Sequence, residues 1–374
     1  MNIGIVGLPN IGKSTLFNAL LKKQTALAAN YPFATIEPNV GIVDVPDNRL
    51  NVLAHLVHEE YSAKYSHKDI PERIVPASIK FNDIAGLVKG AHKGEGLGNQ
   101  FLAHIREVDA IVHVVRAFED TNIIREGSID PISDIEVINT ELVLADFQAM
   151  EKRLDNFSKE IKRNKTTENL KRHELYEKVT QTLNRGNLLS SLLLNEEDSL
   201  YLKELNLLTA KPVIYVFNVS EDILLSGLST LEEKYSEFIQ NNSVLFLCAK
   251  IESELRALSP DERLEYLSDL GISNSGLDQL IKLGFKTVGL QTFLTAGPKE
   301  VRAWTIRTGD KAPSAAGKIH TDFEKSFIRA EVVPFVDLSN AGSWKIAREK
   351  GLLRLEGKDY VMQDGDVVEF RVGS

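Results

Sequence analysis

The chain has 374 residues, 43% of them hydrophobic and 26% charged, which is the composition of an average globular protein. That composition excludes collagen-like, disordered and membrane-embedded classes, and the length exceeds what one core usually covers, so we expect two or three domains. The formal net charge of −9 excludes a surface that binds nucleic acid throughout, although a local basic patch stays compatible with it.

The sequence gives two indications of compartment. It has no apolar run near the ~20 residues that cross a bilayer, and no basic segment precedes an apolar stretch at its start. Cys248 is the only cysteine, so an intrachain disulfide and a multi-cysteine metal site are excluded. We expect a cytoplasmic protein in a reducing environment.

Short apolar runs alternate with amphipathic stretches from the start of the chain. The runs are NIGIV, GIVDV, SIKFND, AIVHVV, KPVIYVF and SVLFLC. The near-continuous apolar runs at 111–115 and 213–217 indicate strands buried on both faces of a mostly parallel sheet. The predicted fold class is therefore α/β, with helices on both faces of the sheet.

A long insertion interrupts this alternation. Roughly 95 residues separate Val115 from Pro212, far more than a βαβ crossover needs. Three- and four-residue apolar spacing from about Ser133 predicts a helical hairpin, with the insertion at 131–207. Within it, residues 151–178 hold nine Lys or Arg and six Asp or Glu, a local charge of +3. Two interpretations stay open: a solvated helical face, or a contact with RNA or an acidic partner.

The composition changes again near Leu290. The following segment contains short strand-like runs separated by Gly, Pro and Asp turns, namely VRAWTI, FIRAEVV, YVM and VVEFRV. We predict a small mixed-β domain at 289–374, after a larger α/β domain at 1–288.

The segment GLPNIGKS at 7–14 matches the phosphate-binding pattern G-x-x-x-x-G-K-[ST]. It follows an apolar strand and precedes an amphipathic helix, which is the context the pattern requires. The glycines let backbone amides wrap phosphates at the positive end of the helix. Lys13 is predicted to reach the β- and γ-phosphates, and Ser14 to bind Mg²⁺.

Two further segments fit the switch elements of GTPase-like folds. Asp83-Ile84-Ala85-Gly86 matches D-x-x-G, so Asp83 is predicted to hold Mg²⁺ through a water molecule and the Gly86 amide to sense the γ-phosphate. Thr35 lies between the first helix and GIVDV, where a second hydroxyl for Mg²⁺ is expected. A turn-capping surface threonine is the alternative.

The base-reading segment departs from the guanine pattern N-K-x-D. The chain has Asn218-Val219-Ser220-Glu221, so Val219 replaces the lysine that covers the base, and the Glu221 carboxylate is one methylene longer. Adenine presents an acceptor at N1, where a carboxylate finds no proton, whereas Asn218 and nearby backbone groups can meet its N6 amine. We therefore favour ATP over GTP.

Three other features bear on the site. Cys248-Ala249-Lys250 resembles the S-A-K element of the base pocket, with a lone buried cysteine ending a strand as the alternative. Leu87 stands where many GTPases place the glutamine that orients the attacking water, so intrinsic hydrolysis should be slow without help from another group or a partner. In the glycine-rich segment 88–98, His92 is either a general base or an exposed loop histidine.

Several segments together resemble the YchF family of Obg-like ATPases over nearly the full chain: GLPNIGKSTLFNAL, YPFATIEPN, NDIAGLVKGAHKGEGLGNQFL, NVSE and TAGPKEVRAWTI. The resemblance implies a P-loop GTPase-like domain at 1–288, a helical coiled-coil insertion at 131–207 and a β-grasp-like TGS domain at 289–374. It also implies a preference for ATP, a hydrophobic residue in place of the catalytic glutamine, and association with ribosomes.

The resemblance also assigns roles to residues. Asn218 and the Val219 backbone would bind adenine, with Phe118 packed on the base or simply part of the core. Arg125 stands where some bacterial relatives have a histidine proposed to assist hydrolysis, so that mechanism is in doubt here. Ser14 and Thr35 would bind Mg²⁺. The implied phosphate-binding residues are Asn10, Ile11, Gly12, Lys13, Ser14 and Thr15.

Three functions stay open at this point. The first is slow hydrolysis of ATP that controls a ribosome-associated switch. The second is an RNA or ribosome clamp with incidental hydrolysis, and the third is a conventional GTPase that tolerates N-V-S-E. The residues that favour the clamp in the C-terminal domain are Arg302, Trp304, Lys318 and Lys325.

Overall fold

The computed structural model describes residues 1–24, 39–62, 69–86, 97–119, 130–255, 258–272 and 274–373. The chain divides into two compact units, of which one comprises Met1–Ile42 and Lys80–Leu280, and the other Val43–Ile79 and Ile281–Ser374. Segment 43–79 therefore belongs with the C-terminal part of the chain, although the sequence analysis places it in the first domain. The domain limits 1–288, 131–207 and 289–374 stay predictions.

The strands and helices have the following bounds. The strands are β1 (Asn2–Val6), β2 (Val40–Asp44), β3 (Ile74–Val75), β4 (Ser78–Asp83), β5 (Ala110–Arg116), β6 (Val213–Asn218), β7 (Ser243–Leu247), β8 (Leu290–Ala296), β9 (Val301–Arg307), β10 (Phe327–Pro334), β11 (Arg354–Glu356) and β12 (Asp366–Val372). The helices are α1 (Lys13–Gln24), α2 (Arg49–Tyr61), α3 (Leu97–Glu107), α4 (Pro131–Ile161), α5 (Thr167–Asn184), α6 (Glu196–Glu204), α7 (Glu221–Ser226), α8 (Ser229–Lys234), α9 (Ser236–Asn241), α10 (Ala249–Leu255), α11 (Pro260–Asp269), α12 (Gly276–Thr287), α13 (Ala312–Ile319), α14 (Thr321–Lys325), α15 (Phe335–Ala341) and α16 (Trp344–Glu349). Short 3₁₀ turns occupy Leu189–Ser191 and Leu208–Ala210.

The first sheet has the strand order β2-β4-β1-β5-β6-β7. The pairs β1–β4, β1–β5, β5–β6 and β6–β7 are all parallel, and every residue of β5 is buried. The predicted α/β class, with apolar strands buried in a parallel sheet, is confirmed. Because parallel strands present their carboxyl ends at one edge, the segments after β1, β5, β6 and β7 converge there.

Helices α4 and α5 occupy the range for which the sequence predicts a helical hairpin. Buried residues of α4, among them Met150, pack in one cluster with Leu175, Val179 and Leu183 of α5. The base of α4 is fixed by Asp146, which is 1% exposed and accepts hydrogen bonds from the amide and hydroxyl of Thr209 at 2.8 and 2.7 Å. The four residues 162–165 at the turn between the helices are all exposed.

The second sheet belongs to the C-terminal unit, in the order β11-β10-β12-β8-β9-β3. One apolar cluster joins it to α13 through Phe293, Ala316 and Val332. A mixed-β domain is confirmed in its strands, but α13, α14, α15 and α16 were not anticipated. The run YVM does not form a strand either, since Val361 makes only an isolated antiparallel bridge to Lys311.

Segment 43–79 adds an edge strand and a helix to this unit. Strand β3 pairs in parallel with β9, and α2 buries Leu50, Leu53 and Val57. Arg49, the first residue of α2, donates from Nη1 to the Asp364 carboxylate at 2.9 Å and from Nη2 to the Thr292 hydroxyl at 3.0 Å. Early and late parts of the chain therefore form one core.

None of the helices in the described ranges combines the length and apolar character that a bilayer crossing needs.

Candidate functional site

The phosphate loop connects β1 to α1 and has an unusual backbone. Asn10 has φ of 61° and Gly12 φ of 91°, both in the left-handed region that glycine and asparagine tolerate best. A Cβ atom on Gly12 would collide with the side-chain nitrogen of Asn218. Glycine at this position is therefore required by the backbone angle and by the close approach of a neighbouring side chain.

A cavity of about 1060 Å³ lies in the first unit, at the carboxyl edge of its sheet. It brings together most of the residues that the sequence assigns to nucleotide binding, although they come from five separate loops. The predicted site residues that line it are Asn10, Gly12, Lys13, Ser14, Thr15, Gly86, Phe118, Asn218, Val219, Glu221, Cys248 and Ala249.

Five other residues singled out in the sequence have different placements. Ile11 is 2% exposed and takes part through its main-chain oxygen. Thr35, Leu87 and Arg125 lie outside the described residues, as does the whole glycine-rich segment with His92 except for its last two positions.

Lys13 and Asp83 contact each other at the phosphate end of the cavity. The Lys13 ammonium forms an ion pair with the Asp83 carboxylate and donates a hydrogen bond to the Ile84 oxygen at 2.9 Å. The side chains are only 12% and 18% exposed, so the pair is shielded from solvent. The P-loop and the D-x-x-G segment are thereby joined at the two charged groups predicted to act on the triphosphate and on Mg²⁺.

The Asn218 carboxamide joins the phosphate loop to the base side of the cavity. Its nitrogen donates to the Ile11 oxygen at 2.9 Å, and its oxygen accepts from the Ala249 amide at 2.9 Å. The residue is 4% exposed. Because its oxygen already has a donor, the side chain offers a base mainly its second N–H, which suits the N7 acceptor shared by both purines. A contact with the adenine N6 amine stays a prediction.

The base side of the cavity combines buried apolar residues with charged side chains. Val219 and Cys248 are 2% and 4% exposed, and burial raises the pKa of the Cys248 thiol. The Glu221 carboxylate lies 3.6 Å from the Lys250 ammonium. That ion pair was not anticipated, although Lys250 completes the C-A-K triplet already recognised after β7.

Arg116 is a second residue that the sequence analysis did not assign. It ends β5, is 3% exposed, and its guanidinium carbon lies 4.5 Å from the centroid of the Phe118 ring. The signal was present in the sequence, because an arginine closing the apolar run AIVHVV requires a partner when buried.

Comparison with known proteins gives matches along the whole chain. A family model described as "50S ribosome-binding GTPase" matches residues 2–219. The model YchF-GTPase_C, described as "Protein of unknown function (DUF933)", matches residues 290–373.

Individual relatives cover almost the full length. A Bacillus subtilis protein named "Ribosome-binding ATPase YchF" is 50% identical over 99% of this chain and 99% of its own length. A Haemophilus influenzae protein of the same name is 48% identical over 98% of both chains. The solved structure of the Schizosaccharomyces pombe YchF GTPase is similar with a TM-score of 0.86 and 38% identity, covering 99% of this chain and 97% of that one.

Proposed function

The chain belongs to the YchF family, and on that premise we propose that it is a Mg²⁺-dependent nucleotide hydrolase that prefers ATP to GTP and associates with ribosomes. The observation that carries the proposal is one cavity in which the phosphate loop, the Lys13–Asp83 pair and the base-side residues Phe118, Val219 and Glu221 meet. Its size exceeds the usual range for small ligands only slightly, which suits an extended nucleoside triphosphate.

The proposed reaction is hydrolysis of ATP to ADP and phosphate by in-line attack of water on the terminal phosphorus. Lys13 exchanges the Asp83 carboxylate for phosphate oxygens, so that its charge offsets the negative charge developing in the transition state. The backbone amides between Asn10 and Thr15 hold the remaining phosphate oxygens at the start of α1. Gly86, which lines the cavity, is assigned to sensing the terminal phosphate.

A magnesium ion fits the donors that this site offers. Ser14 provides a hydroxyl and Asp83 a carboxylate, both hard oxygen ligands, and Thr35 is assigned a third oxygen. Among the residues that the structure describes, no group of three His, Cys, Asp or Glu side chains could hold a metal by itself. Magnesium suits such a sparse set because it keeps water and phosphate oxygens as its other ligands. When bound, it neutralises charge on the phosphates.

The preference for ATP rests on the base-side residues. Val219 cannot provide the lysine stem that covers guanine. Its amide already donates to the Leu247 oxygen at 2.9 Å, so an adenine contact through the Val219 backbone would use its carbonyl oxygen. The Glu221 carboxylate faces Lys250 at 3.6 Å, an alternative partner to the N1–H and N2 amine of guanine. Slow turnover is expected because Leu87 replaces the water-orienting glutamine.

A ribosomal partner is proposed because the bacterial relatives cited above are named ribosome-binding, and the structure offers two basic surfaces for RNA phosphates. The first is the exposed turn of the α4–α5 hairpin, with Lys162, Arg163 and Lys165. The second lies on the C-terminal sheet, where three half-exposed arginines surround Glu331, whose side chain is 7% exposed. These arginines are Arg329, Arg348 and Arg371. We place the protein in the cytoplasm, with ribosomes.

The test of the hydrolase is Lys13→Ala. Phosphate release from ATP should fall to background, while Lys159→Ala, which changes an exposed lysine of α4 paired only to Asp155, should leave the rate unchanged. Wild-type hydrolysis by purified, folded Lys13→Ala protein would refute the proposal. Competition of labelled ATP by ATP and by GTP tests the preference, and tighter GTP binding would favour a conventional GTPase.

The clamp with incidental hydrolysis remains a second candidate because the hairpin turn carries three exposed cations without acidic residues among them. Ribosome pelleting with ATP, with ADP and without nucleotide separates the two. Equal binding in all three states would favour the clamp, whereas binding that changes between ATP and ADP supports the switch.

A further inference from the structure

We infer that Arg116 is a positioning residue for the nucleotide base: its buried guanidinium lies against one face of Phe118 and holds that ring as the platform on which the purine stacks. The inference rests on the proposed function and deepens it. It assigns a role to a residue that lies against Phe118, outside the cavity lining, and does not itself read the base edge.

Two contacts fix Phe118 to Arg116. The guanidinium carbon lies 4.5 Å from the centre of the Phe118 ring, within the range of a cation–π interaction. The Nε–H of the same guanidinium donates to the Phe118 main-chain oxygen at 3.2 Å. Arg116 therefore restrains both the ring and the backbone of the residue two positions later. At 3% exposure it does so away from water, where cation–π attraction is strongest.

The platform is also tied to the rest of the site. Arg116 lies beside Asn218 in the parallel pairing of β5 with β6, and the next residue, Ala117, donates its amide to the main-chain oxygen of Asn218 at 2.8 Å. Asn218 in turn holds the phosphate loop through Ile11. The Phe118 ring, which lines the cavity, is thus held at a fixed position relative to the phosphate-binding backbone.

The chemistry of the stack predicts which ligands depend on it. Every base has a π-face, so stacking on an aromatic ring strengthens binding of any purine and does not distinguish adenine from guanine. A ligand that has phosphates but no base gains nothing from the platform. Arginine and lysine also differ, because a planar guanidinium stacks on a ring and donates from Nε at the same time, whereas an ammonium does not.

The experiment measures dissociation constants of full-length protein for ATP, GTP and inorganic tripolyphosphate, by calorimetry with Mg²⁺. Arg116→Met should weaken the binding of ATP and of GTP by the same factor, about tenfold. That factor corresponds to the loss of one aromatic–base stack. Tripolyphosphate affinity should change by less than about twofold, since RT ln 2 is within the scatter of independent sites. Arg116→Lys should show the same pattern with a smaller factor.

A matched control exists in the C-terminal unit. The guanidinium carbon of Arg354 lies 5.4 Å from the centre of the Tyr360 ring, so Arg354→Met removes the same kind of contact away from the cavity. It should leave all three dissociation constants unchanged. Adding Arg116→Met to Phe118→Leu protein should weaken ATP binding by much less than Arg116→Met does in wild-type protein. The reason is that the ring through which Arg116 acts is already absent.

The outcomes separate the inference from the function on which it rests. If wild-type protein binds neither purine triphosphate, the proposed function fails. If wild-type protein binds ATP and the folded Arg116 variants bind it equally well, only the inference is overturned. An equal loss for tripolyphosphate also overturns it, since Arg116 would then support the fold of the whole site. Should Arg116→Met not fold, Arg116→Lys, which keeps a buried cation, provides the same comparison.

Discussion

The side-chain nitrogen of Asn218 donates to the main-chain oxygen of Ile11 at 2.9 Å, across 207 positions of sequence. This bond joins the start of the base-reading segment to the phosphate loop, while the Asn218 oxygen holds Ala249 on the other side. Asn218, the first residue of N-V-S-E, therefore holds the phosphate loop and Ala249 together whether or not it contacts a base.

Asn218→Ala should destabilise the protein and weaken the binding of every nucleotide by a similar factor. The change leaves the buried Ile11 oxygen and Ala249 amide without their partners, which costs about 1–3 kcal/mol for each unsatisfied group. Urea unfolding should show the loss of stability, and calorimetry should show weaker binding of both ATP and GTP. Asn241→Ala is the control, since that exposed carboxamide also donates to a main-chain oxygen, of Glu237 at 2.9 Å, and should cost little. A selective loss of ATP binding would contradict the bridging role.

Asp83→Asn should separate binding from turnover. In the structure the Asp83 carboxylate is paired with the Lys13 ammonium. A nucleotide phosphate must displace this carboxylate to bind Lys13. Without Mg²⁺, the variant should bind ADP several-fold more tightly, because Lys13 no longer has a competing anion, and a threefold gain corresponds to about 0.6 kcal/mol. With Mg²⁺, hydrolysis should fall by about a hundredfold or more, because an amide is a poor ligand for a hard cation. Fluorescent-nucleotide titration with and without EDTA measures the first effect.

The control for that experiment is Asp109→Asn, an exposed carboxylate in the same unit that accepts from the Asn2 amide at 2.7 Å. Its affinity for ADP should match that of wild-type protein under both conditions. If metal-free ADP binding by Asp83→Asn protein were weaker than by wild type, the Lys13–Asp83 pair would not be a competitor of phosphate.

His113 should make the protein sensitive to mild acid. Burial lowers the pKa of His113 from 6.5 to about 3, so between these values the unfolded chain binds a proton that the folded chain does not. The free energy of unfolding therefore falls as pH drops below 6.5, by at most about 1.4 kcal/mol per pH unit, or about 2 kcal/mol at pH 5. Above pH 6.5 this residue contributes no slope. Urea midpoints between pH 5 and pH 7.5 measure the effect.

His113→Gln, which carries no titrating group, should flatten the slope between pH 5 and 6.5. The urea midpoints of the wild-type and variant proteins are compared over the same pH range. An unchanged slope in the His113 variant would assign the acid sensitivity to other groups.

Arg49→Met should loosen α2 within the C-terminal unit. The guanidinium contacts Asp47, Asp364 and Thr292 and is 26% exposed, so its loss should cost about 2 kcal/mol after allowance for solvent. Hydrogen exchange of the amides in α2 and β3 should quicken. Lys311→Met, which breaks an exposed pair with Asp359 in the same unit, should cost under about 0.5 kcal/mol. Equal protection in both variants would show that the Arg49 contacts contribute nothing.

The sequence predicted the features whose signals are local. The phosphate loop was found because eight consecutive residues at 7–14 satisfy one pattern, and the strands of the first sheet because β5 and β6 are apolar along their length. The five loops of the cavity could be assembled from these, since parallel strands place their carboxyl ends together.

What the sequence missed depends on distant partners or on ambiguous short runs. Arg49 and Thr292 are 243 positions apart, and no single-sequence pattern indicates that α2 packs on C-terminal strands. Helix α13 lies between two of the strand-like runs, where only turns were expected, and its Pro stands in the first turn, where it is tolerated. The role of Arg116 depends on its contact with the Phe118 ring, which only the folded structure shows.

The contribution of residues 43–79 to the C-terminal sheet has a consequence for synthesis. When this segment leaves the ribosome, the strands β8 and β9 on which α2 and β3 depend do not yet exist. At typical rates of ~5–20 residues per second, roughly 15–60 s pass before β12 is translated. During that interval Leu50, Leu53 and Val57 have no native surface to cover them, so the nascent chain exposes the apolar face of α2 to solvent.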